Sequence, residues 1–186
     1  MKSKLEIKKP IDYSKVIIVD KIETPQANIE NIEKILLRTL PNDVTLGQFR
    51  EEVRKKILRE NAFEKIMDYI SLQFTFHISS MELEEISKKV KSDFKASNIN
   101  EETAKKIAQK IIMKTLIFEK IAEDNSINIT DSELEETIKK EKEIAPEEMK
   151  DFFDIKNKDK IKPMVMEQKI ISFLLEKFKV EFNLKK

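Results

Sequence analysis

The amino-acid sequence predicts an all-α, elongated protein in which several helices pack together and helical arms protrude. Gly occurs once in 186 residues, where average usage gives roughly thirteen, and a chain almost without Gly has few tight turns. Apolar residues recur at helical spacing through most of the chain, and one kind of helix-start signal occurs three times. Together these observations favour long helices over a sheet.

The N-terminal part, residues 1–42, is predicted to form an arm and a linker helix. Residues 15–20 read KVIIVD, which is typical of a short strand or an extended arm. A helix is expected to begin at Pro25, because Pro fits the first turn, and to end at Pro41. Its apolar positions are Ile29, Ile32, Leu36 and Leu40. The remainder, residues 43–186, is predicted to form a helical domain.

The helical domain is predicted to open with a long helix at residues 45–72. At 1.5 Å per residue this helix is roughly 40 Å long, so it must project from a domain of this size or pair with another long helix. After it, Leu72, Phe74, Phe76 and Ile78 alternate with polar residues, which is the period of an extended strand. Further helices are predicted at 80–95, 101–124, 131–143 and 160–178, with a short one after Pro146.

An eight-residue phrase occurs twice and marks two of these helix starts. Residues 78–85 read ISSMELEE, and residues 129–136, 51 positions later, read ITDSELEE. Each contains a capping box, in which a hydroxyl accepts a hydrogen bond from the first turn and an acid or amide three residues later reaches back. The boxes are Ser79 with Glu82, Thr130 with Glu133 and, upstream, Thr45 with Gln48.

The context of the phrase is repeated as well. An amphipathic helix and an apolar-x-apolar segment precede both copies, and the chain end repeats this first half, closing with Val180-Glu181-Phe182. Two interpretations stay open. Either the chain repeats a unit of helix, extended segment and capped helix, or unrelated helices share common start signals.

The composition excludes several classes of function. The net charge of +1, from 36 basic and 35 acidic residues, lacks the basic excess of a dedicated DNA-binding protein. No apolar run nears the length of a membrane span, and the first ten residues lack the apolar core of a signal peptide, so we expect a cytoplasmic protein. Cys is absent, His77 is the only His and Gly47 is the only Gly. We therefore expect no catalytic residue, no metal and no cofactor, because HExxH sites and phosphate loops need more His and Gly.

The candidate binding residues are large apolar side chains that cannot all face one core. Adjacent residues, or residues two apart, face different sides of a helix. Met and Phe suit the binding of diverse apolar partners. The alternative is that these side chains are ordinary core residues. The candidates are Phe74 and Phe76 on the extended segment, and Phe152, Phe153, Met164 and Met166 near the C-terminus.

Three segments carry a family resemblance. Residues 45–61 read TLGQFREEVRKKILREN, residues 116–140 end in SINITDSELEETIKK, and residues 152–180 contain Asn157 and Lys158 before a long helix. In order and spacing they resemble the C-terminal domain of trigger factor, the ribosome-associated chaperone, and the likeness covers about residues 43–182. SurA-type chaperones are similar in their helix-and-arm architecture.

The resemblance implies the client-holding part of that family alone. Residues 1–42 are too short for a prolyl isomerase domain, and the only Gly lies in GQFREE, which does not match the ribosome-docking loop. It implies an ATP-independent holdase that binds unfolded or nascent polypeptides in apolar clefts between helical arms, as a monomer or weak homodimer. The alternative is a helical scaffold with one defined protein partner.

Overall fold

Helices dominate the chain. The structure is a computed structural model, and it describes residues 2–41, 43–93 and 99–184. The helices are α1 (Gln26–Thr39), α2 (Leu46–Ser71), α3 (Ser80–Asp93), α4 (Glu101–Asp124), α5 (Asp131–Ile144), α6 (Glu147–Lys150) and α7 (Lys158–Lys177). A 3₁₀ turn at Ile155–Asn157 precedes α7.

The fold class is mainly α, so the predicted all-α class with a possible short N-terminal extended segment is confirmed in part, and the short strands are the correction. Short strands form two sheets of two strands each within the described residues. The strands are β1 (Lys4–Ile7), β2 (Val16–Val19), β3 (Phe74–His77) and β4 (Lys179–Phe182). The expected strand or arm at residues 15–20 is thus a strand. The correction arises because these apolar segments find hydrogen-bonding partners far away in the sequence.

The predicted helix starts are confirmed. Helices α2, α3 and α5 begin one residue after Thr45, Ser79 and Thr130. The box at Thr45 is complete, since its N–H donates to Gln48 Oε1 at 2.9 Å and its Oγ1 accepts from the Gln48 N–H at 3.3 Å. The predicted end of α3 at residue 95 lies outside the described residues.

The chain divides into two compact units, and each takes residues from both halves of the sequence. Unit 1 comprises Met1–Asp12 and Met67–Ser126, and unit 2 comprises Tyr13–Ile66 and Ile127–Lys186. The predicted organisation into an arm at 1–42 and a helical domain at 43–186 stays a prediction about the sequence.

Unit 1 combines the antiparallel pair β1–β3 with the packed helices α3 and α4. Leu5 lies opposite Phe76, and Ile7 lies opposite Phe74. Ala104 of α4 is fully buried, and a side chain that small allows two helices to approach closely.

The N-terminal segment also completes the start of α3. Ser3 is buried, its Oγ accepts from the Ser79 N–H at 2.9 Å, and its own N–H donates to Glu82 Oε2 at 2.9 Å. Ser3 therefore lies between the two members of the predicted capping box. The expected bond from the Ser79 N–H to the Glu82 carboxylate is wrong here, because Ser3 takes the place of each as the partner of the other. The N–H of Ser3 lowers the pKa of Glu82, because this hydrogen bond favours the ionised carboxylate.

Unit 2 contains the parallel pair β2–β4, with Ile17 opposite Val180, and two hydrophobic clusters. The first joins α1 to α2 through Ile32, Leu36 and Val53. The second, which we call the α5–α7 cluster, contains Ile129, Leu134, Ile138 and Ile161.

A buried Asn attaches the start of α1 to α2. Asn61 Oδ1 accepts from the Glu23 N–H at 2.8 Å, and its Nδ2 donates to Thr24 Oγ1 and to the Ile57 carbonyl. Because both of its polar atoms are bonded, the amide is stable in the interior.

Candidate functional site

An apolar groove between α5 and α7 is the candidate site, because predicted binding residues line it. Hydrogen bonds at the start of α5 hold the two helices that form its walls. The Thr130 Oγ1 accepts from the Glu133 N–H at 3.2 Å, as the capping box predicts. The Glu133 carboxylate is held by Lys169 of α7, whose Nζ donates to both carboxylate oxygens at 2.7 and 2.8 Å and to the Asn128 carbonyl at 2.8 Å. These bonds attach α7 to α5, because hydrogen bonds between an ammonium and a carboxylate are stronger than those between neutral groups.

The segment between the two helices is held as a compact turn. Asn157 Nδ2 donates to the carbonyls of Asp151 and Phe152, both at 3.0 Å. Asp154 Oδ2 lies 2.9 Å from Lys142 Nζ of α5, and this hydrogen bond lowers the pKa of Asp154. The turn therefore stays attached to α5 while the Asp154 carboxylate is ionised.

The turn brings two aromatic rings onto the α5–α7 cluster. Phe152 and Phe153 meet edge to face, with centroids 5.3 Å apart and an interplanar angle of 86°. Both are half-buried and pack against the cluster, as do Val165 and Met166 of α7. Of these four side chains, Phe153 and Val165 also line the groove.

The groove itself has a volume of about 510 Å³, and we call it the α5–α7 groove. Met164 lies in its wall with 48% of its surface exposed. Glu141 and Glu167 are its charged lining residues. The lining residues are Thr137, Glu141, Phe153, Ile161, Met164, Val165, Glu167 and Gln168. The groove can therefore offer an extended apolar surface with carboxylates beside it.

The structure brings four of the six predicted binding residues together here. Phe153 and Met164 line the α5–α7 groove. Phe152 and Met166 pack against the cluster beneath it. Only Met164 among these four is largely exposed, so the others serve the core in addition to any binding role.

The other two predicted residues lie in unit 1, on β3. Phe74 is only 3% exposed and belongs to the core, whereas Phe76 is half-buried. The centroids of the two rings lie 6.3 Å apart. The expectation of an exposed side chain therefore fails for Phe74, because β1 pairs with β3 and a residue of the sheet is drawn into the interior. Binding by the other five stays a prediction.

Sequence reasoning did not single out several groove residues, although a signal was available. Ile161, Met164, Val165 and Gln168 follow the spacing i, i+3, i+4, i+7, which places residues on one helical face. Thr137 and Glu141 lie one turn apart on α5. What the sequence lacks is the information that these two helical faces oppose each other.

Among the described residues, no group of His, Asp and Glu is arranged to hold a metal ion. In the same part of the chain, no helix combines the length and the apolar character that a membrane span requires.

The fold is mainly helical and carries an apolar groove, and the comparisons with known proteins define the family. The family model of the bacterial trigger factor protein C-terminus matches residues 48–176, more than half of the chain. The chain belongs to this family, which is of chaperone kind.

The most informative relatives come from mycoplasmas. The chain is 28% identical to the uncharacterized protein MG377 of Mycoplasma genitalium and 27% identical to its homolog in Mycoplasma pneumoniae, in both cases over 99% of this chain and 95% of the relative. The crystal structure of the hypothetical Mycoplasma protein MPN555 is similar with a TM-score of 0.78 and 27% identity. That match covers 98% of this chain and 92% of the other.

Proposed function

We propose that the chain is an ATP-independent holdase that binds apolar segments of unfolded or nascent polypeptides, with the α5–α7 groove as a binding site. The observation that carries the proposal is Met164, a large apolar side chain left half exposed in a groove that Phe153, Ile161 and Val165 also line. Membership of the trigger factor C-terminus family supports the same function. We place this activity in the cytoplasm and propose no enzymatic reaction.

The alternative is a helical scaffold that binds one defined protein. The same groove geometry would serve it, so the range of partners separates the two functions. A holdase binds many unrelated unfolded chains, each weakly, with an affinity of order micromolar, or about −8 kcal/mol. A scaffold binds one folded partner.

The first test is suppression of aggregation of several unrelated unfolded proteins without ATP. Met164→Ser should weaken suppression, with client affinity reduced about fivefold, because burying roughly half of a Met side chain contributes about 1 kcal/mol. The matched control is Met81→Ser, which removes another Met, 71% exposed, on α3. Thermal unfolding of both variants should stay close to that of the unchanged chain.

A core variant completes the experiment. Ile161→Ala should lower the free energy of unfolding by about 2–5 kcal/mol, because Ile161 is 1% exposed. The groove is not the binding site if Met164→Ser lowers the melting temperature as Ile161→Ala does. The same conclusion follows if Met81→Ser weakens the suppression of aggregation as much as Met164→Ser does. If the unchanged chain suppresses no aggregation, the holdase function itself is wrong.

The elongated shape with protruding arms stays a prediction. A compact chain of this length has a radius of gyration of about 16 Å, and small-angle scattering should give a clearly larger value.

A further inference from the structure

Unit 2 has a second groove, formed by α1, α2 and α7, which we call the α1–α2–α7 groove. Its volume is about 330 Å³. Leu36, which belongs to the cluster that joins α1 to α2, lines it, and so does Ile35, which leaves 47% of its surface exposed. Phe63 of α2 and Ile171 of α7 also line it. An Ile exposed to this extent beside a concave apolar surface is a contact point for an apolar side chain.

The charges of this groove differ from those of the α5–α7 groove. Its charged lining residues are Lys56, Arg59 and Glu60, two bases and one acid. The α5–α7 groove is lined by Glu141 and Glu167, two acids. Gln168 of α7 lines both grooves. The two grooves therefore adjoin on α7 and carry opposite net charge.

The cations of the second groove are available to a ligand. Arg59 Nη2 donates to Ser172 Oγ of α7 at 3.1 Å, which directs the guanidinium across the groove while leaving its other N–H groups for an acceptor. Neither Lys56 nor Arg59 forms an ion pair with any of the described residues. A guanidinium beside an ammonium is a suitable partner for a carboxylate.

We propose that the α1–α2–α7 groove binds segments of unfolded polypeptides in which apolar residues are interspersed with Asp or Glu. Ile35 and its neighbours contact the apolar side chains, and Lys56 and Arg59 pair with the carboxylates. The same segment meets the carboxylate of Glu141 in the α5–α7 groove, and like charges disfavour it there. This inference rests on the proposed holdase function and adds the class of segment that a second site selects.

The test uses three fluorescent peptides with Leu and Phe at the same positions. The remaining positions are all Glu in the first peptide, all Ser in the second and all Lys in the third. Binding to the full chain is measured by fluorescence anisotropy. The double substitution Lys56→Gln with Arg59→Gln should weaken binding of the Glu peptide about tenfold, which corresponds to the loss of two partly exposed charge pairs. Binding of the Ser peptide should not change. The control is Arg54→Gln with Lys55→Gln, exposed positions on the same helix that do not line the groove.

A photo-crosslinking residue placed at Ile35 or at Met164 then locates each peptide. The Glu peptide should be captured from position 35 in preference to position 164, and 1 M salt should reduce that capture, because it shortens electrostatic range to about 3 Å. If the Ser peptide binds but the double substitution leaves Glu-peptide affinity unchanged, this inference is wrong and the holdase function stands. If none of the peptides binds, both fail.

Discussion

Replacing Lys169 by Met should lower the free energy of unfolding by about 1–2 kcal/mol. Lys169 Nζ donates to both oxygens of Glu133 and to the Asn128 carbonyl, all within 2.8 Å. An exposed ion pair contributes up to about 1 kcal/mol, and one hydrogen bond to a carbonyl contributes about 1 kcal/mol. The side chains of Lys169 and Glu133 are 38% and 40% exposed, so solvent screening keeps the contribution of the ion pair at no more than about 1 kcal/mol.

A double-mutant cycle isolates the ion pair from the rest of the effect. Lys169→Met, Glu133→Gln and the double variant are unfolded in urea and followed by circular dichroism. The coupling free energy should be about 1 kcal/mol and should fall in 1 M NaCl. The single Lys169 variant should lose about 2–4 °C in melting temperature for each kcal/mol, the usual ratio for a chain of this size.

The control is the pair Lys140 with Glu136, which has the same residue types on a single helix. Its N–O distance is 2.8 Å, and its side chains are 70% and 67% exposed. Pairs of this kind contribute about 0.2–0.5 kcal/mol. A coupling between Lys169 and Glu133 no larger than this control would refute the role of Lys169 in attaching α7 to α5.

Three further predictions concern unit 1. Ser3→Ala should lower the free energy of unfolding by about 1 kcal/mol, since the Ser79 N–H loses its acceptor. A loss in urea unfolding that is clearly smaller than about 0.5 kcal/mol, the low end for a lost cap, would contradict this role of Ser3. Glu82 has a lowered pKa in the folded chain, so its stabilisation is complete above its unfolded pKa of about 4.3 and is lost as the pH falls through the lower folded value. The stability gap between the unchanged chain and Glu82→Gln should therefore narrow as the pH falls below about 4.3, and a constant gap would show that this carboxylate is not linked to folding. Ser126 has a φ of 52° after α4, so Ser126→Gly should raise the free energy of unfolding by about 0.5 kcal/mol, because only Gly adopts this conformation without strain; urea unfolding that shows a loss would contradict this.

Local signals predicted the helices well, because the residues that cap or stop a helix lie within a few positions of its ends. Capping boxes placed the beginnings of three helices to the residue. The strands β2 and β4 followed from short apolar segments. Their pairing was not predictable, because Ile17 and its partner Val180 lie at opposite ends of the sequence and no local pattern names a distant partner.

The same limit applies to the candidate site. The sequence identified residues too large and too close together for a single core, and it found Phe153 and Met164 for that reason. It also proposed Phe74, which is buried. Alternating apolar and polar residues show which side chains share a face of a strand, but they do not show which face the rest of the protein covers. The acids and bases of the two grooves were not singled out, since charged residues are frequent throughout this chain and only packing shows which of them surround an apolar surface.

The threefold occurrence of helix followed by an apolar-x-apolar segment has a structural explanation. Two of the three segments receive a strand from the N-terminal residues, since β1 pairs with β3 and β2 pairs with β4. The third segment, residues 127–129, belongs to no strand, although the structure describes it. Its Ile129 packs instead with Leu134 in the α5–α7 cluster, as a hydrophobic staple does at a helix start. The same local pattern thus has two uses, and the availability of an N-terminal strand decides between them. Where no strand is available, the segment contributes Ile129 to the α5–α7 cluster.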